Sequence, residues 1–129
     1  MCILKKQNKF LISSRPYPKV FSGFWEFPGG KVNNSELFLE ALNREILEEL
    51  SITINLHEVF HVCSYRVIQK KKKLMLHFFL CLDWVGKVLP NETQQTEWIR
   101  IEEIKKFKML KSNNRIVKHL KNANFFFPH

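Results

Sequence analysis

The chain has 129 residues, with 21 Lys and Arg against 12 Asp and Glu, so its formal net charge is +9. This length predicts one domain covering residues 1–129, and a hydrophobic fraction of 45% is enough for a buried core. Cys2, Cys63 and Cys81 lack CxxC spacing, which argues against a disulfide framework or a zinc knuckle and favours a reducing cytoplasm. No apolar run approaches the roughly eighteen residues of a membrane span, and the N-terminus is too short in its apolar part for a secretory signal.

The first predicted elements are a strand, a loop and a turn. The strand covers residues 9–13 and leads into residues 14–18, where Pro16 and Pro18 force an extended loop. We expect this loop to lie over the functional site. The sequence Phe-Pro-Gly-Gly at residues 27–30 then predicts a rigid turn.

A helix is predicted to follow this turn. Asn33 or Ser35 is its expected N-cap, and Glu36, three residues after Asn33, would complete a capping box. Apolar residues at helical spacing then predict an inward-facing stripe made of Leu37, Ala41, Leu42 and Ile46.

The second half of the chain predicts further strands and then helices. The elements are one or two strands within residues 52–65, a buried strand over 74–84, helices over 101–107 and 112–123, and an apolar tail at 124–127 that packs back. Lys70 to Lys73 would form a solvated hairpin tip, with contact to phosphate or nucleic acid as the alternative. Strands interspersed with helices indicate an α/β sandwich with a mixed sheet.

Negative charge is concentrated in one short segment of this basic chain. Residues 36–49 contain five of the twelve acidic residues and one arginine, so they sum to −4 and leave +13 for the rest. A negative pocket in a positive field suits a metal ion together with a polyanionic substrate. The alternative is a solvated surface helix whose acidic face keeps the protein soluble.

Three of these carboxylates, on Glu45, Glu48 and Glu49, are placed by helical spacing on one face. Arg44 is expected to serve only Glu48, which follows it by four residues. Each unrelieved like-charge pair would cost the helix about 0.2–0.5 kcal/mol. A hard divalent cation removes that cost, because carboxylate oxygens are the ligands that Mg²⁺ and Mn²⁺ prefer.

The spacing of residues 30–52 resembles a known signature. Gly30, five residues, Glu36, seven residues and then the run REILEE at residues 44–49 are similar to the Nudix box. This resemblance implies a Nudix-like α/β/α sandwich with a mixed central sheet. One position departs, because Ser51 stands where the family has a glycine that ends the helix in a left-handed turn. We expect a strained or altered C-cap rather than a lost site, since that glycine supplies no ligand.

The likeness extends beyond the box to a subfamily. The segment WEFPGGK at residues 25–31 is similar to the one that precedes the box in MutT-type nucleoside triphosphate diphosphatases, which clear 8-oxo-dGTP. Other matches in order and spacing are Arg15-Pro16, Glu97-Trp98, and residues 107–110 before Ser112-Asn113. Relatives have several more residues before the position of Met1, so either the first strand is short here or translation begins upstream.

The resemblance implies which residues perform the chemistry. It assigns Mg²⁺, with Mn²⁺ as an alternative, to the backbone carbonyl of Gly29 and the carboxylates of Glu45, Glu48 and Glu49. Arg44 would orient Glu45, or would be a simple helix ion pair. Lys31 would meet phosphate. Glu92 matches a loop position that supplies a metal ligand or a general base, with an ordinary exposed loop glutamate as the alternative.

The same resemblance places Arg15, the Phe27 backbone and Asn113 around an oxidised guanine. The Asn113 amide offers both a donor and an acceptor to the base edge. Asn113 also sits at a predicted helix start, where asparagine often serves as a cap. Other damaged or methylated nucleotides and CTP-like triphosphates remain alternative substrates, because the box indicates pyrophosphate cleavage only.

A second motif, HExxH at residues 57–61, matches a zinc-binding pattern that requires a helix. The surrounding alternation favours a strand, in which His57 and His61 would be about 13 Å apart and unable to share one ion. We therefore expect these histidines to be packing or surface groups.

Three classes of function remain open from the sequence. The intact box and WEFPGGK favour a monomeric diphosphatase of free nucleoside triphosphates, with neither a membrane nor a stable nucleic-acid complex as partner. An RNA 5′-end pyrophosphohydrolase would use the basic surface, but relatives with that role usually carry a glutamine between the proline and the paired glycines, which is absent here. A noncatalytic binding module should have lost box carboxylates, and none is missing.

Overall fold

The computed structural model describes residues 1–32 and 35–122. Its strands are β1 (Cys2–Lys6), β2 (Lys9–Ser14), β3 (Trp25–Glu26), β4 (Thr53–Ile54), β5 (Val59–Gln69), β6 (Lys72–Cys81), β7 (Trp84–Val85) and β8 (Thr96–Ile99). The α-helices are α1 (Phe38–Leu50) and α2 (Asn114–Asn122), and 3₁₀ helices cover Leu56–Glu58, Ile101–Lys106 and Lys111–Asn113.

The main sheet is mixed, with strand order β3-β2-β1-β6-β5 and β8 paired to β2. Strand β1 lies in its middle, antiparallel to β2 and parallel to β6. A second, two-stranded sheet joins β4 and β7. This arrangement confirms the predicted α/β fold with a mixed central sheet, and it confirms the strand at residues 9–13.

Successive side chains of the central strands point to opposite faces of the sheet, so the hydrophobic core forms two clusters, one on each face. Cys2 and Leu4 of β1 belong to the cluster that contains the apolar side of α1, whereas Ile3 belongs to the cluster that contains α2. Strands β1 and β2 are buried on both faces over most of their length, which explains their nearly continuous apolar runs. Helix α1 is thereby held against one face, where its other side is left free to present carboxylates.

Helix α1 begins later than the sequence predicts. Its N-cap is Leu37, whose backbone N–H donates to Glu40 Oε1 at 3.2 Å. The prediction of Ser35 as N-cap is therefore wrong, because Ser35 lies in a turn with a φ of 71°. The alternative cap, Asn33, is also not the N-cap, and it lies outside the described residues.

The inward stripe of α1 is confirmed for Ala41, Leu42 and Ile46, which are buried. It is wrong for Leu37, whose side chain is 70% exposed. Leu37 precedes the first helical turn, so helical spacing does not determine its direction. Immediately before it, Glu36 turns toward Arg44, which keeps this connection outside the helix.

The strands after α1 lie approximately where the sequence predicts them. Residues 52–65 contain two strands, and residues 70–73 form the exposed tip of the β5–β6 hairpin as predicted, with Lys70 and Lys71 at φ of 51° and 62°. The predicted strand over 74–84 is wrong at its end. It stops at Cys81, and Trp84 pairs with Ile54 in the small sheet.

The C-terminal helices are shorter than predicted. Residues 101–106 form a 3₁₀ helix, and the helix predicted from Ser112 is a 3₁₀ turn followed by α2. The predicted tail at residues 124–127 lies outside the described residues. Within residues 1–32 and 35–122, no helix has both the length and the apolar character needed to cross a membrane.

Candidate active site

The turn at residues 27–30 lies against the acidic face of α1. The Gly29 N–H donates to Glu49 Oε2 at 3.1 Å, and Gly29 has a φ of 143°, a conformation that favours glycine. A Cβ on Gly30 would lie 2.2 Å from Cδ of Glu45. Any side chain at position 30 would therefore displace the Glu45 carboxylate, so the paired glycines allow the turn to approach the helix.

Arg44 contacts three carboxylates and one carbonyl. Its Nε and Nη2 donate to the two carboxylate oxygens of Glu36 at 2.6 and 3.0 Å, and Nη2 also donates to the Lys31 carbonyl at 3.1 Å. Its Nη1 donates to Glu45 Oε1 at 3.0 Å and to Glu48 Oε2 at 3.4 Å. The expectation that Arg44 serves only Glu48 is wrong, because a guanidinium has five donors and reaches beyond one helical spacing.

The surroundings of Glu49 disfavour the negative charge of its carboxylate. Burial is the main cause that raises the pKa of its carboxyl, from 4.5 to about 8, and the charges of Glu92, Glu45 and Glu26 act in the same direction. The hydrogen bond from Gly29 opposes them. Without a cation, a carboxyl with this pKa is mostly protonated at neutral pH, and a nearby cation would favour its charged form.

Glu92 is brought to Glu49 by the loop that joins β7 and β8. The Glu92 charge is the second cause of the raised Glu49 pKa, so the two carboxylates lie within electrostatic reach of each other. The Glu92 side chain also pairs with Lys19 at 2.8 Å. Lys19 belongs to the loop after β2, so that loop contacts the β7–β8 loop at Glu92.

The donor set fits a hard divalent cation. Glu45, Glu48 and Glu49 lie on α1, the Gly29 N–H bonds to Glu49, and Glu92 is within electrostatic reach of Glu49. Carboxylate oxygen is the ligand atom that such cations prefer. In residues 1–32 and 35–122, however, no group of three or more acidic, histidine or cysteine side chains is arranged so that it could hold a metal ion. Arg44 Nη1 contacts the carboxylates of both Glu45 and Glu48.

Comparison with known proteins identifies the family. The NUDIX domain family matches residues 1–120. The chain belongs to the Nudix family. Nudix hydrolases act on nucleoside triphosphates and other phosphoanhydrides and use divalent metals, so the predicted class of chemistry is confirmed.

Several characterised Nudix proteins are similar to this chain over most of its length. The 8-oxo-dGTP diphosphatase of Buchnera aphidicola subsp. Schizaphis graminum is 33% identical over 96% of this chain and 92% of its own. The CTP pyrophosphohydrolase of Escherichia coli is 34% identical over 78% and 73%, respectively. A solved structure from work on MutT of Aliivibrio salmonicida and Vibrio cholerae matches 92% of this chain and 90% of its own, with a TM-score of 0.77 at 30% identity.

The candidate base-binding residues of this Nudix protein are placed by contacts within the protein. Asn113 is 1% exposed, its Oδ1 accepts from the Phe27 N–H at 3.1 Å, and its Nδ2 donates to Ser112 Oγ at 3.2 Å. Its side chain does not cap α2, which begins at Asn114. Arg15 donates to Glu26 at 2.9 Å, and the Lys31 side chain is exposed beside the turn.

The HExxH residues of this Nudix protein do not form a zinc site. His57 lies in a 3₁₀ helix and His61 in strand β5, so the motif lacks the α-helix that it requires. His61 Nε2 is instead 2.7 Å from Ser64 Oγ, which is in turn 2.7 Å from His77 Nδ1. The expectation of packing or surface histidines is confirmed.

Three residues that sequence reasoning left out of the candidate site contribute to its geometry. Glu36 forms the two-point contact with Arg44, and its place in the box spacing was an available signal. Glu26 holds Arg15, and burial raises the pKa of its carboxyl. Lys19 pairs with Glu92, and no sequence pattern links the two residues.

Proposed function

We propose that this protein is a Mg²⁺-dependent nucleoside triphosphate pyrophosphohydrolase that converts 8-oxo-dGTP to 8-oxo-dGMP and pyrophosphate. The observation that carries the proposal is the packing of Glu45 and Glu49 against the Gly29-Gly30 turn, where burial, and then the charges of neighbouring carboxylates, raise the pKa of Glu49. The similarity to proteins named 8-oxo-dGTP diphosphatase supports this choice of substrate.

In this proposal the Gly29 carbonyl and the carboxylates of Glu45, Glu48, Glu49 and Glu92 hold Mg²⁺. A divalent ion held there would supply positive charge to the phosphate oxygens and a site for the attacking water. Arg44 fixes the direction of the Glu45 carboxylate through their hydrogen bond. Glu92, or a glutamate of α1 such as Glu49, would accept the proton of the water.

The nucleotide would lie between the turn at residues 27–30 and the loop after β2. The exposed ammonium of Lys31 meets phosphate oxygens, and Arg15 and the Phe27 backbone line the base side. Asn113 uses one donor and one acceptor within the protein, which leaves its amide one further donor and one further lone pair for a base edge.

Hydrolysis in ¹⁸O-labelled water tests the reaction. With Mg²⁺, the parent protein is expected to release pyrophosphate and nucleoside monophosphate, because attack at the inner phosphoanhydride is what the MutT likeness implies. It should prefer 8-oxo-dGTP over dGTP in kcat/KM. Release of orthophosphate as the first product, or equal use of both nucleotides, would contradict the proposal.

Asn113→Ala is expected to alter both stability and selectivity. Loss of the Oδ1 acceptor leaves the buried Phe27 N–H without a partner, which costs about 1–3 kcal/mol of the free energy of unfolding. If the amide also reads the base, the ratio of kcat/KM for 8-oxo-dGTP to that for dGTP falls. Asn114→Ala, which changes an exposed neighbour, is the control. An unchanged ratio in the Asn113 variant would remove this residue from the base site.

The second candidate function is hydrolysis of another triphosphate, such as CTP or a methylated deoxynucleotide. The similarity to the Escherichia coli CTP pyrophosphohydrolase favours CTP specifically. A panel of nucleoside triphosphates, with CTP and 5′-triphosphorylated RNA included, would rank these substrates by kcat/KM. A kcat/KM for CTP above that for 8-oxo-dGTP would favour the second function.

In the cell this activity would remove oxidised guanine nucleotides before DNA synthesis uses them. We propose a monomeric enzyme of the reducing cytoplasm. The sequence supports that location, because its three cysteines lack CxxC spacing and an even number for a disulfide framework.

A further inference from the structure

The serine that replaces the box glycine has a hydrogen-bonding role that a glycine cannot have. Ser51 ends α1 in the left-handed conformation, with φ 64° and ψ 24°, and its N–H donates to the Leu47 carbonyl at 3.0 Å. A side chain in this conformation is less favourable than glycine. The strained cap expected from the sequence is therefore present, and contacts of the Ser51 hydroxyl offset its cost.

The hydroxyl of Ser51 faces the loop that contains Glu92. Its Oγ accepts from Asn91 Nδ2 at 2.6 Å and donates to the Leu89 carbonyl at 3.4 Å. The second contact is long, so the bond from Asn91 is the main one. The same Asn91 amide donates to the carbonyl of Glu48 at 3.0 Å, which joins the loop to the exposed end of the helix.

Backbone bonds extend this attachment along the loop. Leu89 N–H donates to the Leu50 carbonyl at 2.9 Å, and Asn91 N–H donates to the Glu49 carbonyl at 2.9 Å. Glu92 is the next residue, so its Cα is fixed one residue beyond an anchored amide. The side chain of Gln94 closes the other end, by donating to the Glu49 carbonyl at 3.1 Å and accepting from the Glu92 N–H at 2.7 Å.

We propose that the Ser51 hydroxyl and the Asn91 amide position Glu92 beside Glu49 at the end of α1. Ser51 is then a positioning residue that acts through Asn91 and touches no reacting atom. This inference rests on the proposed hydrolase function, in which Glu92 is a metal ligand or a general base. It extends that function because, in this chain, the residue at the position of the box glycine has a side chain that helps to position Glu92.

Three variants distinguish the effect of losing the Ser51 hydroxyl from the effect of relieving the backbone strain at this position. Ser51→Ala removes the hydroxyl and keeps the strain, whereas Ser51→Gly removes both. Because glycine adopts the left-handed region readily, Ser51→Gly should melt at a higher temperature than Ser51→Ala. Asn91→Ala removes the partner amide. Gln7→Gly is the matched control, because Gln7 is exposed in the β1–β2 turn with a φ of 56°.

Both Ser51 variants are expected to lower kcat by about tenfold with little change in the KM for nucleotide, because a displaced catalytic group costs rate more than binding. The double variant Ser51→Ala, Asn91→Ala should lose less than the product of the single losses, since the two groups act through one contact. Gln7→Gly should keep the parent kcat. A Ser51→Gly variant with the parent kcat would overturn the proposal.

Two readouts without hydrolysis distinguish this inference from the proposed function. Amide hydrogen exchange at Leu89 and Asn91 should be about tenfold faster in Ser51→Ala, because the loop is released from the helix. Mn²⁺ affinity of the nucleotide-free protein, measured by electron paramagnetic resonance, should be weakened several-fold. Parent exchange rates and parent Mn²⁺ affinity would refute the positioning role, even if the parent is an active hydrolase. An inactive parent with the expected changes would refute the hydrolase function alone.

Discussion

Glu49→Gln is expected to abolish hydrolysis and to make the metal-free protein more stable at alkaline pH. The variant loses a charged ligand from the proposed Mg²⁺ site, so kcat should fall about a hundredfold or more. It keeps an amide oxygen that accepts from the Gly29 N–H, so the turn stays in place. This one substitution would then show both that catalysis requires the Glu49 carboxylate and that the charge of this carboxylate destabilises the metal-free protein.

The stability effect has a defined sign. The pKa of Glu49 is about 8 in the folded protein and about 4.5 in the unfolded chain, so the folded state binds more protons between these values. Stability therefore falls as pH rises from about 4.5 to about 8, by at most about 1.4 kcal/mol per pH unit. Glutamine does not ionise, so its advantage should be absent near pH 4 and on the order of 2–4 kcal/mol at pH 9.

Urea unfolding at pH 4 and pH 9 with a chelator measures this difference, and kcat with Mg²⁺ measures the catalytic loss. Glu102→Gln, a change at an exposed glutamate, is the control for both. Added Mg²⁺ should stabilise the parent at pH 9 and leave Glu49→Gln nearly unaffected. An active Glu49→Gln enzyme would exclude Glu49 from the site. Equal stability of the parent and the variant at pH 9 would show that the charge of the Glu49 carboxylate does not destabilise the folded protein.

Arg44→Ala is expected to lower kcat by about a hundredfold. The variant removes the two-point contact with Glu36 and frees the carboxylates of Glu45 and Glu48, which then lose their fixed directions. The Lys31 carbonyl also loses its donor, so the turn between Gly30 and α1 is loosened. A displacement of about 1 Å in a catalytic group is enough for a loss of this size.

Arg44→Lys should recover little of this activity, because an ammonium is a point charge without the planar fork that reaches Glu36 and Glu45 together. Arg100→Ala is the matched control, since Arg100 pairs with Glu103 at an exposed position far along the chain. It should leave kcat unchanged. Substantial activity in Arg44→Lys would show that charge alone suffices and that the hydrogen-bond geometry of Arg44 is unimportant.

Local sequence patterns predict those parts of the fold in which neighbours along the chain determine each other. Strand β2 and the tip of the β5–β6 hairpin follow from alternation and turn residues, and both are found where predicted, whereas the hairpin strands have other bounds than predicted. Predictions fail at element ends. Leu37 fits the helical stripe yet is exposed, and Trp84 continues an apolar run yet pairs in another sheet, because each lies where the chain changes direction.

The spacing of Glu45, Glu48 and Glu49 by itself determined which face of α1 carries the acidic group, because helical geometry fixes the relation of residues three and four apart. It also pointed to the family, since the box is a local pattern. What the tertiary structure alone decided is how these groups meet distant ones. Glu92 pairs with Lys19 across 73 positions, and Phe27 with Asn113 across 86. Such contacts depend on how the sheet brings loops together, and no local periodicity encodes them.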